Sequence, residues 1–338
     1  MNGPLVTEIT RRAMATEFGV VLPGQDRAAI EVAVDALDDL GRLESLMSIY
    51  QPASQISEVN RLAGIRPVRV ATELIEVLLR GRAIWRLTNG AFDITAGPLV
   101  RCWGFTQRRG KKPAVEEIEI ARSLVGSERL QVDPTARSVY LVDRSMEINL
   151  GGIGKGFALD SIAARLLDRG VEDFLIHGGR SSIVARGSDQ ADRDLGWGVG
   201  IEHPLRPGIR LGQIRLRNQA LATSGSGKQF FHVKGKRQGH VFDPRTGYPA
   251  GDMLSISVIT ASGMDADALS TACFVDGLAA ARQRIGKSNL LAGSPPEASP
   301  DWPSQAIAVV PDERGDEAIV HCLGACGQLD WTPADPLG

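Results

Sequence analysis

The stretch Asp265-Ala266-Asp267-Ala268-Leu269-Ser270-Thr271 puts two carboxylates and two hydroxyls into the first turns of a helix expected over Met264–Gly277. Asp267 and Thr271 are four residues apart and share a helix face. Carboxylate and hydroxyl oxygens suit a hard cation such as Mg2+, whose other ligands are usually waters and phosphate oxygens. An N-capped helix with acidic first-turn residues and no metal has the same pattern. A second cluster runs Ile148-Asn149-Leu150-Gly151-Gly152-Ile153-Gly154-Lys155-Gly156. Its first residues read as a strand end, and an amphipathic run with Phe157, Ile162, Leu166 and Leu167 on one face follows up to Gly170. A strand, a glycine turn and a helix together bring backbone N–H groups up to a phosphate. This is not a Walker loop, because Gly156 follows Lys155 where a Ser or Thr would hold magnesium. The glycine spacing also departs from the dinucleotide fingerprint, and a tight turn with no ligand explains the stretch equally well.

A third cluster is Gly239-His240-Val241-Phe242-Asp243-Pro244-Arg245-Thr246-Gly247, a strand ending in a Pro-Gly turn. His240 suits a general base near neutral pH. Arg245 suits a phosphate or a clamp on Asp243. His203 before Pro204, His232 in an alternating strand and His177 beside two glycines rank below it. With the Ser224-Gly225-Ser226-Gly227 loop, these clusters point jointly to a nucleotide or pyrophosphate ligand with Mg2+.

The elements that must position these groups follow from periodicity. Thr7–Leu22 reads as paired strands around Ala13-Met14-Ala15-Thr16. Asp26 caps a helix with Ile30, Ala33, Val34, Leu37, Leu40, Leu43 and Met47 on its apolar face. A second helix starts near Thr72 and stops at Asn89-Gly90. Thr106–Glu117 is charged and broken by proline, so a loop is expected. Short strands are expected at Phe174–Ile176, Ser182–Arg186, Gly196–Ile201, Gln213–Leu216, Gln219–Thr223 and Leu254–Thr260. Residues 288–303 read as a loop and 304–326 as a closing strand pair. Short strands interrupted by separated helices predict an α+β fold over a doubly wound parallel sheet.

Composition narrows the classes further. A net charge of -2 gives no basic field for nucleic acid. No apolar run approaches the roughly 18 residues of a membrane span. The N-terminal residues carry neither a signal-peptide core nor a lipid-attachment cysteine, which leads to the expectation of a cytoplasmic protein unless the chain is a processed form. Four cysteines at this length make no disulfide framework. Cys322 and Cys326 lack a second Cys/His pair and read as structural thiols.

At this point the sequence resembles the ApbE-type flavin transferase family. The matching stretches are Ala13–Thr16, Met47–Tyr50, Ala91–Leu99, Trp103–Phe105, Asn149–Asp160, His177–Gly179, Ala222–Gly225, His240 with Asp243–Pro249, and Asp265–Thr271. They fall in the family's order over about residues 13–280. The resemblance implies one two-lobed, T-fold-related α+β domain over residues 1–338 with FAD in the cleft between the lobes. It implies Mg2+-dependent transfer of the FMN part of FAD to a Thr or Ser hydroxyl of an acceptor flavoprotein, with release of AMP. It assigns metal binding to Asp267, Thr271 and the carbonyl of Gly152. FAD contacts fall to Met14, Tyr50, Ala91, Phe92, Asp93, Asn149 and Lys155, and catalysis to His240 and Asp267. Two alternatives use the same residues: an Mg2+-dependent FAD pyrophosphatase giving FMN and AMP, and a non-catalytic FAD-binding protein.

Overall fold

The computed structural model describes residues 5–105, 112–189, 195–225, 230–233, 236–239, 241–286, 303, 305–312, 317–324 and 331–334. The chain begins with β1 (Val6–Ala13), β2 (Thr16–Pro23), α1 (Arg27–Asp38), α2 (Leu40–Met47), α3 (Gln55–Arg61), β3 (Val68–Arg69) and α4 (Thr72–Leu87). It continues through α5 (Gly97–Cys102), α6 (Val115–Ser123), β4 (Leu130–Asp133), β5 (Ser138–Leu141), α7 (Gly154–Asp168), β6 (Phe174–Gly178) and β7 (Ser182–Arg186). Then come β8 (Trp197–Glu202), β9 (Arg210–Leu216), β10 (Gln219–Gly225), β11 (Phe230–Val233), β12 (Lys236–Gly239) and β13 (Ser255–Thr260). Last are α8 (Gly263–Arg284), β14 (Gln305–Pro311), β15 (Ala318–Gly324) and β16 (Trp331–Pro333).

An eight-stranded sheet in the order β1-β2-β6-β7-β10-β13-β14-β15 forms the frame. Every neighbouring pair in it is antiparallel. This is the mixed helix-and-sheet class that the alternating short strands predict. On one face Phe18, Val20, Ile176, Val184, Ala222 and Val258 meet α7 and α8 in the main core. On the other face, Leu221, Ile259 and Ile307 pack against Trp197, Val199, Ile201, Ile214 and Leu216 of the sheet β16-β9-β8. Cover on both faces is why β13 is buried at nearly every position, whereas β8, open on one face, alternates. A third small sheet, β3-β5-β4, packs on α3 and α4.

Several expectations need correction. The helix expected from Asp26 to Met47 is divided at Asp39 into α1 and α2. Arg42 holds the Asp39 carboxylate through two N–H groups, at 2.8 and 2.9 Å, so the side chain anchors the start of a new helix. The residues leading into the glycine turn make one isolated bridge, Glu147 with Ala96, and no strand. The Asn60 side chain takes both the N–H and the C=O of Ile148, at 2.7 and 2.9 Å, and stands where a strand partner would. The segment expected as a loop over Thr106–Glu117 enters α6 at Val115, with the Glu117 carboxylate accepting the Ala114 N–H at 2.8 Å. Leu167 is 43% exposed rather than facing the core. The loop expected over 288–303 lies outside the described residues except for Pro303, and Cys326 lies outside them too.

Helix α8 carries one internal break. Gly277 sits at φ 83° and ψ 172°, where the helix bends. The Asp252 carboxylate receives the Leu278 N–H at 3.2 Å just past the break. A Cβ on Gly277 would stand 2.5 Å from that carboxylate, so glycine is required there for space as well as for its positive φ. Among the described residues, no helix is long and apolar enough to cross a membrane.

Candidate active site

The floor of the site is made where α7 and α8 meet. Gly156 and Gly263 bring the two backbones together; a Cβ on Gly156 would stand 2.1 Å from the Gly263 carbonyl oxygen. Asp160, on α7, reaches across this contact and caps α8. Its carboxylate accepts from Gly263 N at 2.7 Å, Ser262 Oγ at 2.8 Å and Met264 N at 2.9 Å. Burial pushes the Asp160 carboxyl above the usual carboxylate range, and these donors oppose the shift. In the same first turn Arg80 of α4 grips Asp265 through two N–H groups, the Nε bond being 2.6 Å. These contacts fix α8 in translation and in rotation, and with it the direction of Asp267.

Asp267 is buried, at 6% exposure. Its Oδ1 receives Lys155 Nζ at 3.0 Å and Ser182 Oγ at 3.3 Å. Its Oδ2 receives Lys155 Nζ at 3.2 Å and the Gly156 N–H at 3.2 Å. One turn on, the Thr271 hydroxyl lies 3.2 Å from the Asp267 carbonyl oxygen and 3.2 Å from Ser224 Oγ. Gly152 closes the group from the glycine turn; a Cβ there would stand 3.3 Å from Thr271 Oγ1. Among the described residues, no cluster of three or more His, Cys, Asp or Glu side chains could hold a metal. The oxygen set of Asp267, Thr271 and the Gly152 backbone fits a hard cation that takes its remaining ligands from water and phosphate.

Above the floor opens a cavity of 810 Å³. It gathers Met14, Tyr50, Ala91, Phe92, Asp93, Asn149, Gly152, Lys155, Asp267 and Thr271 at one place. Residues named from stretches as much as 257 positions apart in the chain therefore line one cavity. His240 lies outside the described residues, as do Ser226 and Gly227, while Val241 and Phe242 line the cavity. The Asp93 carboxylate is taken up by Thr95 and Ser127, with its shortest bond, 2.6 Å, coming from Ser127 Oγ. Asp93 thus braces its loop, and burial pushes its carboxyl up against those donors. Arg245 serves the clamp reading: it holds Asp243 through two N–H groups, at 2.8 and 3.0 Å, and reaches Asp276 of α8 at 2.9 Å.

The rim is built differently. Met14 and Ala15 form the two-residue turn between β1 and β2, at φ 50° and 59°. Left-handed conformations suit Asn and Gly in such a turn, so Met and Ala are strained there. Tyr50 is 63% exposed at the cavity mouth. Trp103, Phe242, Phe105 and Tyr248 make a small aromatic cluster behind the clamp turn, and Trp103 Nε1 donates to the Gly247 carbonyl at 3.0 Å.

Sequence reasoning missed several contributors. Ser182 reads only as a strand start, and Arg80 and Asp160 carry no local signal. His203, which ranks below His240 on sequence, lines the cavity. Its Nδ1 accepts the Leu205 N–H at 3.1 Å, which leaves Nε2 to carry the proton of the neutral ring. Burial, with Arg206 adding to it, holds this imidazole below its ordinary pKa.

The ApbE family model matches residues 14–292. The chain belongs to the ApbE family. A relative from Haemophilus influenzae named FAD:protein FMN transferase is 32% identical over 252 residues, 72% of each chain. A protein of the same name from Escherichia coli K12 is 27% identical over 84% of this chain and 82% of its own. The ApbE crystal structure from Thermotoga maritima superposes with a TM-score of 0.80 at 27% identity, covering 96% of this chain and 99% of that one. The flavin transferase ApbE of Vibrio cholerae superposes with a TM-score of 0.75 at 25% identity, covering 95% and 97%.

Proposed function

We propose that this ApbE-family chain is an FAD:protein FMN transferase that moves the FMN half of FAD onto a Thr or Ser hydroxyl of an acceptor protein in an Mg2+-dependent reaction. One observation carries the reading. A single cavity brings together a buried carboxylate, a lysine, a threonine hydroxyl and a glycine turn, the groups that a pyrophosphate with a divalent cation requires.

In the reaction the acceptor oxygen bonds to the FMN-side phosphorus of FAD. The bond from that phosphorus to the bridging oxygen breaks, and AMP leaves with the electron pair. The hydroxyl proton passes to a base, the role we assign to His240. Asp267, Thr271 and the Gly152 carbonyl would hold the Mg2+, which when bound would supply charge neutralisation at the phosphates. Lys155 adds a positive charge at the first turn of α7, where the backbone N–H groups also face an anion. Phosphoryl transfer needs little covalent help from a protein, so positioning and electrostatic stabilisation provide most of the effect. Met14 and Tyr50 at the rim, with Phe92 and Asn149 deeper in the cavity, orient FAD.

The test is mass spectrometry after incubating the protein with FAD and Mg2+, with and without a flavoprotein acceptor. The expected result is an FMN-sized mass gain on an acceptor Thr or Ser together with released AMP. Free FMN and AMP with no adduct would assign the site to a pyrophosphatase. Intact FAD in both samples would assign it to a binding protein.

A further inference from the structure

An ionised carboxylate offers four lone-pair positions. At Asp267 all four are engaged: Lys155 meets both oxygens, Ser182 the first and the Gly156 N–H the second. A divalent cation can reach this carboxylate only by displacing a donor. The Gly156 N–H is fixed in the backbone of α7 at the close contact with Gly263, so it cannot withdraw. Ser182 is buried in β7 and turns away only by rotating its hydroxyl. Lys155 has the long flexible stem, and its side chain is 24% exposed toward the cavity. Lys155 is also a cation at the N-terminal end of a helix, the end whose dipole disfavours positive charge. It stays there by pairing with an anion, and Asp267 is the anion within reach.

We infer that Lys155 is an exchangeable counter-ion of Asp267. It leaves the carboxylate for the pyrophosphate of the incoming substrate, and the vacated oxygens become the cation's ligands. The inference rests on the FAD reading above and adds a coupling to it: substrate and cation each raise the affinity of the other. Without a phosphate to receive it, Lys155 competes with the cation for one carboxylate, so the metal site is weak until substrate arrives. The coupling is reciprocal by thermodynamic necessity.

The experiment is calorimetric titration of Mg2+ into the full chain at pH 8, wild type and Lys155→Met, each with and without FAD and without acceptor. Mn2+ followed by electron paramagnetic resonance is a second probe of the same site, and circular dichroism checks the fold. Without FAD, Lys155→Met is expected to bind Mg2+ at least about fivefold more tightly than wild type, the lower end of typical coupling factors. FAD is expected to tighten Mg2+ binding to wild type by about tenfold or more, within the same range, and to tighten binding to the variant far less. Equal or weaker Mg2+ binding by the variant without FAD overturns the exchange, as does the same FAD enhancement in both proteins. Should Lys155→Met lose its fold, Lys155→Gln makes the same comparison. A protein that binds no FAD would overturn the transferase reading, while the FAD-free arm still decides the exchange.

Discussion

The floor and the rim of this cavity are built to opposite rules. On the floor, Asp160 caps α8 with three hydrogen bonds, Arg80 pins Asp265, and two glycine backbones meet without room for a methyl group. On the rim, Tyr50 stands largely in solvent and Met14-Ala15 holds a left-handed turn that neither residue favours. Under the proposed function, the difference follows from what each part would recognise. Phosphates and a cation would demand donors fixed to a fraction of an ångström, because charge stabilisation depends steeply on distance. A planar ring would be held by broad surfaces that can adjust, so a looser rim would cost little.

That contrast can be broken in ordered steps. The largest effect belongs to the floor's central carboxylate. Asp267→Ala should stay folded and lower transfer by about 10³-fold or more, the size associated with losing a key electrostatic stabiliser. The check is FMN incorporation into an acceptor, and substantial retained Mg2+-dependent transfer would remove Asp267 from the chemistry. Next comes Gly156→Ala. Its Cβ would press on the Gly263 backbone at 2.1 Å, and backbone cannot swing aside. We expect a loss of about 3 kcal/mol in urea denaturation, the upper end for overpacking.

The rim variants should be mild and can be opposite in sign. Ala15→Gly relieves a left-handed alanine at φ 59°, and a gain of about 1 kcal/mol is expected from the usual cost of that conformation. Weaker binding of FAD by this more stable variant would show that the strain positions Met14. The smallest effect is a pH slope. The folded-state pKa of His203 lies below its ordinary value of 6.5. The unfolded chain therefore takes up the proton first as pH falls, and stability declines from about pH 6.5 down to the folded-state pKa. His203→Gln should flatten that decline in melting temperature without abolishing it, because His321 is shifted in the same direction. An unchanged slope would mean that His203 titrates alike in both states.

What was legible in the sequence was whatever lies close along the chain. Asp267 and Thr271 are one helical turn apart, and the four glycines around Lys155 crowd into six positions, so both clusters announce themselves by spacing. The helix expected to end at Gly277 does bend there. The groups that aim these residues were not legible. Arg80 and Asp265 are 185 residues apart, and Asp160 and Ser262 are 102 apart. A lone arginine on an amphipathic helix carries no mark of the aspartate it will meet. Asn60 taking the place of a strand beside Ile148 is the same kind of event, with one side chain standing in for a backbone that periodicity expected.

The bend at Gly277 has a consequence for how this chain can change in length. A residue inserted into an unbroken helix turns everything beyond it by about 100°. Between Ser262 and Gly277 such an insertion would swing either Asp267 or Asp276 off its partners. Beyond Gly277 the helix axis has already been reset, and Asp252 anchors the new start at Leu278. The glycine works as a joint: a change of length beyond it leaves the half of α8 that carries Asp267 in its bearing and is felt by the contacts past the joint, Ala281 and Ile285 in the core and Arg284 on Asp276.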